Sequence, residues 1–135
     1  MTVIVTDTGF APDTWGAGFV TLADIAGHQG AVDLVNTDDP AALAPHLAGL
    51  ALIRVAFPAF SDGRGFTLAR RLRAMGFAGR LRAQGHVLAD QYAMARRVGF
   101  DEVEISDDLA QRQPVGQWAF RADWRAHDYQ SRLRA

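Results

Sequence analysis

The chain has 135 residues, of which 49% are hydrophobic, 21% charged and 10% aromatic, with a formal net charge of −1. That composition reads as one globular domain and excludes disordered, collagen-like and low-complexity chains. Cysteine and lysine are both absent, all 14 basic residues being arginine. Disulfides, thiolate nucleophiles, cysteine-ligated clusters, Schiff-base chemistry and the P-loop lysine are therefore excluded too.

The opening MTVIVTDTGFAPD has no basic n-region and meets Asp7 early, so no secretory leader is expected. No apolar run approaches the roughly 18 residues of a membrane span, and a cytoplasmic protein is the expectation. Residues 1–30 read as irregular. They hold a short strand around Val3–Val5, a turn-rich stretch with Pro12, Gly16 and Gly18, and a strand at Phe19–Leu22.

From Ala31 the chain becomes regular. Ala31–Val35 reads as a strand, and Asp38-Asp39-Pro40 opens a helix with caps and a first-turn proline. Pro45 would clash with the carbonyl of Ala41, so that helix is short, kinked or late in starting, and Gly49 ends it. Leu50–Phe57 is the next strand. Phe66–Met75 is a helix with Phe66, Ala69 and Leu72 on one face and Gly76 past its end. Gly79–Ala83 is a strand. Val87–Val98 is the most regular helix, closed by Gly99, and Asp101–Ile105 is a further strand.

Beyond it, residues 108–135 form a tail whose Trp118, Phe120, Trp124 and Tyr129 are expected to pack back over the domain. Met75-Gly-Phe-Ala-Gly-Arg-Leu-Arg is echoed 23 residues later by Val98-Gly-Phe-Asp-Glu-Val-Glu-Ile, each a helix end, a glycine, a phenylalanine and a strand. Strand and helix thus alternate about every 25 residues over 31–107. The expected fold is α/β: sequentially wound βαβ units, a mainly parallel sheet, and helices largely on one face.

The charge is unevenly placed. Residues 1–62 hold seven acids against Arg54, residues 63–100 hold eight arginines against Asp90, and residues 101–135 hold seven acids against five arginines. A basic middle fits an anion site, a surface for an acidic partner, or half of an internal ion-pair system. The simplest reading is solvated helix faces carrying Arg70, Arg71, Arg73, Arg96 and Arg97. Nucleic acid is not an expected partner, because no recognised binding motif is present.

The strands add a second pattern. Val32/Leu34, Ile53/Val55/Phe57, Leu81/Ala83 and Val103/Ile105 form one apolar set. Asp33, Arg54, Arg80/Arg82 and Glu102/Glu104 fall on the alternate positions, where a sheet covered by helices on both faces would also be apolar. Cross-strand pairing on a solvated face, a ligand-lined interior and a homo-oligomer interface all fit this alternation.

Candidate chemistry concentrates in two loops at the carboxyl ends of strands, where open parallel sheets bind ligands. Between strand and helix, Ser61-Asp62-Gly63-Arg64-Gly65-Phe66 offers flexible glycines, free N–H groups at a helix start and a guanidinium suited to an oxyanion. The plainer reading is a capped helix with glycines shaping the turn. The second loop, Gln84-Gly85-His86, leads to Asp90 and Gln91. His86 and Asp90 stand four residues apart, a spacing at which a carboxylate orients an imidazole for acid–base work. Arg82 is a further anion-binding candidate, although its strand position directs it toward the sheet surface. No catalytic residue is assigned. The histidines show no metal-ligand spacing and no dinucleotide fingerprint is present, so neither metal nor cofactor is expected and the protein should be colourless.

The residues from Ala51 to Arg73, from Gly79 to Gln91 and from Arg97 to Asp101 resemble the signature of the bacterial family called domain of unknown function 934. The matching positions are Phe57, Pro58, Asp62, Gly63, Arg64, Gly65, Arg82, Gly85, Asp90, Gln91, Gly99, Phe100 and Asp101. Relatives usually carry an acid where this chain has His86, and many carry cysteine where Val98 stands. The resemblance implies a setting in assimilatory sulfur metabolism, since such proteins are often encoded beside assimilatory sulfite or nitrite reductase and phosphoadenylyl-sulfate reductase and labelled as oxidoreductases in sulfite reduction. With no thiol here, the reading is an accessory or anion-binding protein with sulfite reductase or phosphoadenylyl-sulfate reductase as partner. The alternative is a small enzyme or oxidoreductase acting on a phosphorylated or sulfated metabolite.

Overall fold

Strand and helix alternate from residue 31 onward as the apolar spacing predicts. A computed structural model describes residues 2–27, 30–61 and 63–120. Seven strands form one sheet in the order β2-β1-β7-β6-β5-β4-β3. The parallel run is β3 (Val20–Thr21), β4 (Ala31–Leu34), β5 (Leu52–Phe57), β6 (Arg80–Gly85) and β7 (Glu102–Ser106), each beside its predecessor in sequence. At the far edge β1 (Thr2–Thr6) and β2 (Gly9–Ala11) form a hairpin, and β1 pairs antiparallel with β7.

The helices are α1 (Arg64–Ala74), α2 (Tyr92–Val98), α3 (Asp107–Arg112) and α4 (Val115–Phe120). Their apolar sides meet the strand residues Val32, Leu34, Ile53, Val55, Leu81, Ala83, Val103 and Ile105 in one buried cluster. Leu68, Ala69 and Leu72 supply the α1 stripe, while Tyr92, Ala95 and Val98 supply that of α2. One face of the sheet is thus covered by helices, as right-handed crossovers wound in one direction require.

Two helices differ from expectation. Pro40–Gly49 is a run of 3₁₀ turns rather than an α-helix. Pro45 has no N–H to give and in α geometry would strike the Ala41 carbonyl, so the tighter winding is adopted. The helix expected from Val87 starts instead at Tyr92, behind a 3₁₀ turn over Ala89–Gln91. Leu88 is extended, with φ −84° and ψ 156°, and side chains cap the later start: Gln91 Oε1 accepts from Leu88 N–H at 2.9 Å and Gln113 Oε1 from Ala89 N–H at 2.7 Å.

The aromatic tail packs back through Trp118, which is buried, meets the Tyr92 ring edge-on at 6.0 Å and donates its indole N–H to Gln113 O. The Phe120 side chain, Trp124 and Tyr129 lie outside the described residues.

The other face of the sheet carries the charges. Arg54 clasps Asp33 through Nε and Nη2 at 2.5 and 2.6 Å, and reaches past β6 to Glu104 at 3.1 Å. Arg82 donates to Glu102 at 2.6 Å and to Glu104 at 2.8 Å, and Arg80 holds Glu102 at 2.8 Å. The centre of this face is not solvated, the Arg82 side chain being 0% exposed and those of Glu102 and Glu104 8% and 6%, whereas Asp33 and Arg80 at its flanks stay open to water. A strap over residues 12–19 contributes to the cover. Its Asp13 carboxylate accepts from both Nη atoms of Arg82 at 3.2 Å, and its Phe19 ring lies 3.7 Å from the Arg54 guanidinium carbon. Among the described residues, no buried side-chain nitrogen or oxygen lacks a partner.

Much of the basic middle of the chain is therefore half of an internal ion-pair system, with Arg71–Asp39, Arg73–Asp101 and Arg96–Asp7 adding to the sheet network. Burial alone would raise the Asp13 pKa, but the Trp15 N–H and the Arg82 guanidinium outweigh it and hold the carboxyl below its ordinary 3.8. A depressed carboxylate stabilises the folded state above the unfolded value, and the contribution fades as pH falls below about 4. The protection factors of residues 13–19 should fall there while the sheet core stays protected, and Asp13→Asn should remove the pH step. Equal protection of the strap at neutral pH and at about pH 3 would exclude this role for Asp13.

Candidate functional site

The carboxyl ends of the parallel strands are where backbone ladders stop and side chains from different loops converge. Phe57 ends β5, and the chain turns through Pro58–Ser61 toward α1. Asp62 lies outside the described residues. Gly63 is the exposed N-cap of α1 and Arg64 its exposed first residue, but the Phe66 N–H is already taken by Gly63 O at 3.1 Å. Gly65 is buried because the Phe57 ring leaves no room for a side chain: a Cβ there would lie 2.4 Å from Phe57 Cζ. That glycine serves close packing of helix on strand.

The second loop reaches the first. His86 N–H donates to Phe57 O at 2.9 Å, and its Nδ1 lies 2.8 Å from Pro58 O. A carbonyl oxygen only accepts, so Nδ1 carries a proton and the ring is fixed in orientation. The Phe60 ring meets the imidazole edge-on at 5.0 Å. Gln91 completes the brace by donating Nε2–H to Phe60 O at 2.8 Å. Asp90 is exposed and does not orient His86, because residues 86–88 are not helical and the four-residue spacing no longer stacks the two side chains.

Arg82 is not part of this gathering. Its side chain lies on the charged face, fully buried among Asp13, Glu102 and Glu104. Gly63, Arg64, Gly65, His86, Asp90 and Gln91 do share the carboxyl end of β5 and β6.

Beside them opens a cleft of about 240 Å³, walled by Thr2, Phe60, Gln84, His86, Ser106, Leu109 and Arg112. It joins the ends of β6 and β7 to the start of the antiparallel β1. Ser106 Oγ accepts from Leu109 N–H at 3.1 Å, which leaves its hydroxyl proton to donate. Among the described residues, Arg112 has no ion-pair partner and the Gln84 amide no hydrogen-bond partner. An exposed guanidinium, an amide and a hydroxyl are a donor set for an oxyanion. Thr2, Ser106 and Arg112 were invisible as site residues in the sequence, since no motif ties the start of the chain to the end of β7.

Among the described residues no group of three histidine or acidic side chains could hold a metal ion, and no helix is long and apolar enough to cross a membrane. The family model described as a bacterial protein of unknown function, DUF934, matches residues 31–135. No curated protein matches the chain.

Proposed function

The chain belongs to the DUF934 family, and on that premise we propose that it is an anion-binding accessory protein of assimilatory sulfur metabolism, with sulfite reductase or phosphoadenylyl-sulfate reductase as its partner. The metabolic setting rests on the motif resemblance. The anion-binding part rests on one observation, the Arg112 guanidinium, without an ion-pair partner among the described residues, gathered with the Gln84 amide and the Ser106 hydroxyl in a cleft at the carboxyl ends of the strands. Arg64 and the start of α1 add positive potential at the same end of the sheet.

The test is calorimetric titration of sulfate and phosphate at low ionic strength, alongside capture of the purified reductases. Wild type should bind both anions, more weakly as salt rises, and Arg112→Ala should cut affinity at least fivefold. Arg112→Lys should recover only part of it, because an ammonium lacks the planar two-point grip. A wild type that binds neither anion nor reductase would end this reading.

A second reading is favoured by His86 alone. With Nδ1 held at Pro58 O and the residue exposed, Nε2 is the ring nitrogen free to exchange a proton with a ligand, which fits a small enzyme acting on a phosphorylated or sulfated metabolite. Turnover of such a metabolite, lost in His86→Ala while anion binding persists, separates the two readings.

A further inference from the structure

The anion cleft does not stand alone. A second, open hollow of about 370 Å³ adjoins it, lined by Pro58, Ala59, Phe60, Ser61 and His86, so that Phe60 and His86 belong to both. The two hollows differ in chemistry. The first gathers Arg112, Gln84 and Ser106, whereas the second is walled mainly by a proline, an alanine and an aromatic ring.

Phe60 is 37% exposed, one of the few large apolar side chains to be so. Exposure of this kind usually marks a loose loop, but the Phe60 loop is pinned at two carbonyls. Pro58 O is held by the His86 imidazole at 2.8 Å and Phe60 O by the Gln91 amide at 2.8 Å. An aromatic ring held still and left open is a preformed platform, which costs a ligand little ordering entropy. The volumes agree. The cleft of about 240 Å³ and the hollow of about 370 Å³ beside it offer more room than an inorganic oxyanion of five heavy atoms fills.

We infer that the ligand is an organic anion, a phosphate or sulfate ester whose oxyanion sits at Arg112, Gln84 and Ser106 and whose flat apolar body lies over Phe60. The inference rests on the proposed anion site and adds the class of molecule it takes. Gln91 is a positioning residue in this scheme, because it touches the platform loop and not the ligand. The arrangement also accounts for the hollow lying on the α1 side of His86, where a bound ester would extend along the Pro58–Ser61 backbone.

Three probes separate the parts of the site: inorganic phosphate, phenyl phosphate and phenol, titrated at low ionic strength against wild type, Phe60→Ala, Phe60→Leu and Arg112→Ala. Phenyl phosphate should bind wild type about tenfold more tightly than inorganic phosphate, and phenol should bind weakly. Phe60→Ala should bring the ratio of phenyl phosphate to inorganic phosphate affinity to about one, abolishing that gain. Phe60→Leu, which keeps apolar area without a flat ring, should retain less than half of it. Arg112→Ala should weaken both anions. Equal affinity for phenyl phosphate and phosphate in wild type overturns this inference and leaves the anion site standing, as does an aryl gain that survives Phe60→Ala. Failure of wild type to bind either anion overturns both.

Discussion

Arg82→Ala is expected to cost about 3–5 kcal/mol of folding stability, measured by urea unfolding at neutral pH. The change leaves Glu102 in a nearly dry site with only Arg80, and Glu104 with only Arg54, and it cuts Asp13 of the strap loose. Breaking a buried pair by removing one partner costs this much because the other charge stays where water cannot reach it. Two controls separate that mechanism from lost packing. Arg82→Met keeps the stem and should be nearly as damaging, whereas Arg82→Met combined with Glu104→Gln should recover part of the loss. A loss below about 1 kcal/mol for Arg82→Ala is the behaviour of an exposed pair and would refute the buried network.

The second large effect is expected at Arg73, whose five N–H donors are all used. Nε and Nη2 reach Gly99 O at 3.0 and 2.8 Å, Nη1 reaches Phe77 O and Gly79 O at 2.9 Å each, and Nη2 also meets Asp101 at 2.9 Å. Three carbonyls from two loops thus converge on one guanidinium. Arg73→Ala should cost about 2–4 kcal/mol, given that bonds to charged groups are individually worth about 1.5–3 kcal/mol and solvent replaces some of them here. Arg73→Lys should restore less than half, since a point charge cannot serve three carbonyls and a carboxylate in that geometry. Lysine performing as well as arginine would mean that the fork is not what holds the loops.

Arg73 also explains why the Gly99-Phe100-Asp101 signature reads so clearly in the sequence. Gly99 has a φ of +117° and a Cβ there would sit 2.5 Å from Arg73 Cγ, so two independent constraints demand glycine. Asp101 accepts from Arg73 and from Leu81 N–H, tying β7 to β6. Gly65, Gln91 and Arg82 are likewise committed to packing, bracing and the buried network. Motif residues that looked like ligand chemistry are in large part framework.

The parallel strands, their order and the charged alternation were legible because period-two spacing and glycine stops are local signals. The hairpin β1–β2 was half legible: a strand showed at Val3–Val5 but none at Gly9–Ala11, and β7, the other neighbour of β1, lies about 100 residues away with nothing local to name it. The strap was not legible, because Asp13 and Phe19 belong to no periodic pattern and matter only through contacts with β5 and β6. Arg112 escaped for a similar reason. It stands on a six-residue helix within a stretch read only as a tail, and its isolation shows only when the arginines around it are found paired.

The reach of Arg54 across β6 to Glu104 has a consequence for how the molecule comes apart. Arg54 and Arg82 face each other directly in the β5–β6 register, like charges side by side that only Asp33, Glu104 and their neighbours make tolerable. An edge strand of an ordinary sheet frays alone, at a fraction of the global free energy. Here β7 cannot peel away without stranding two adjacent guanidinium groups, and β4 cannot leave without stripping Arg54 of Asp33. The four central strands are therefore bound into one opening unit: their amides should exchange only by global unfolding, with a single protection free energy from Ala31 to Ile105, while the hairpin and the strap open earlier and on their own.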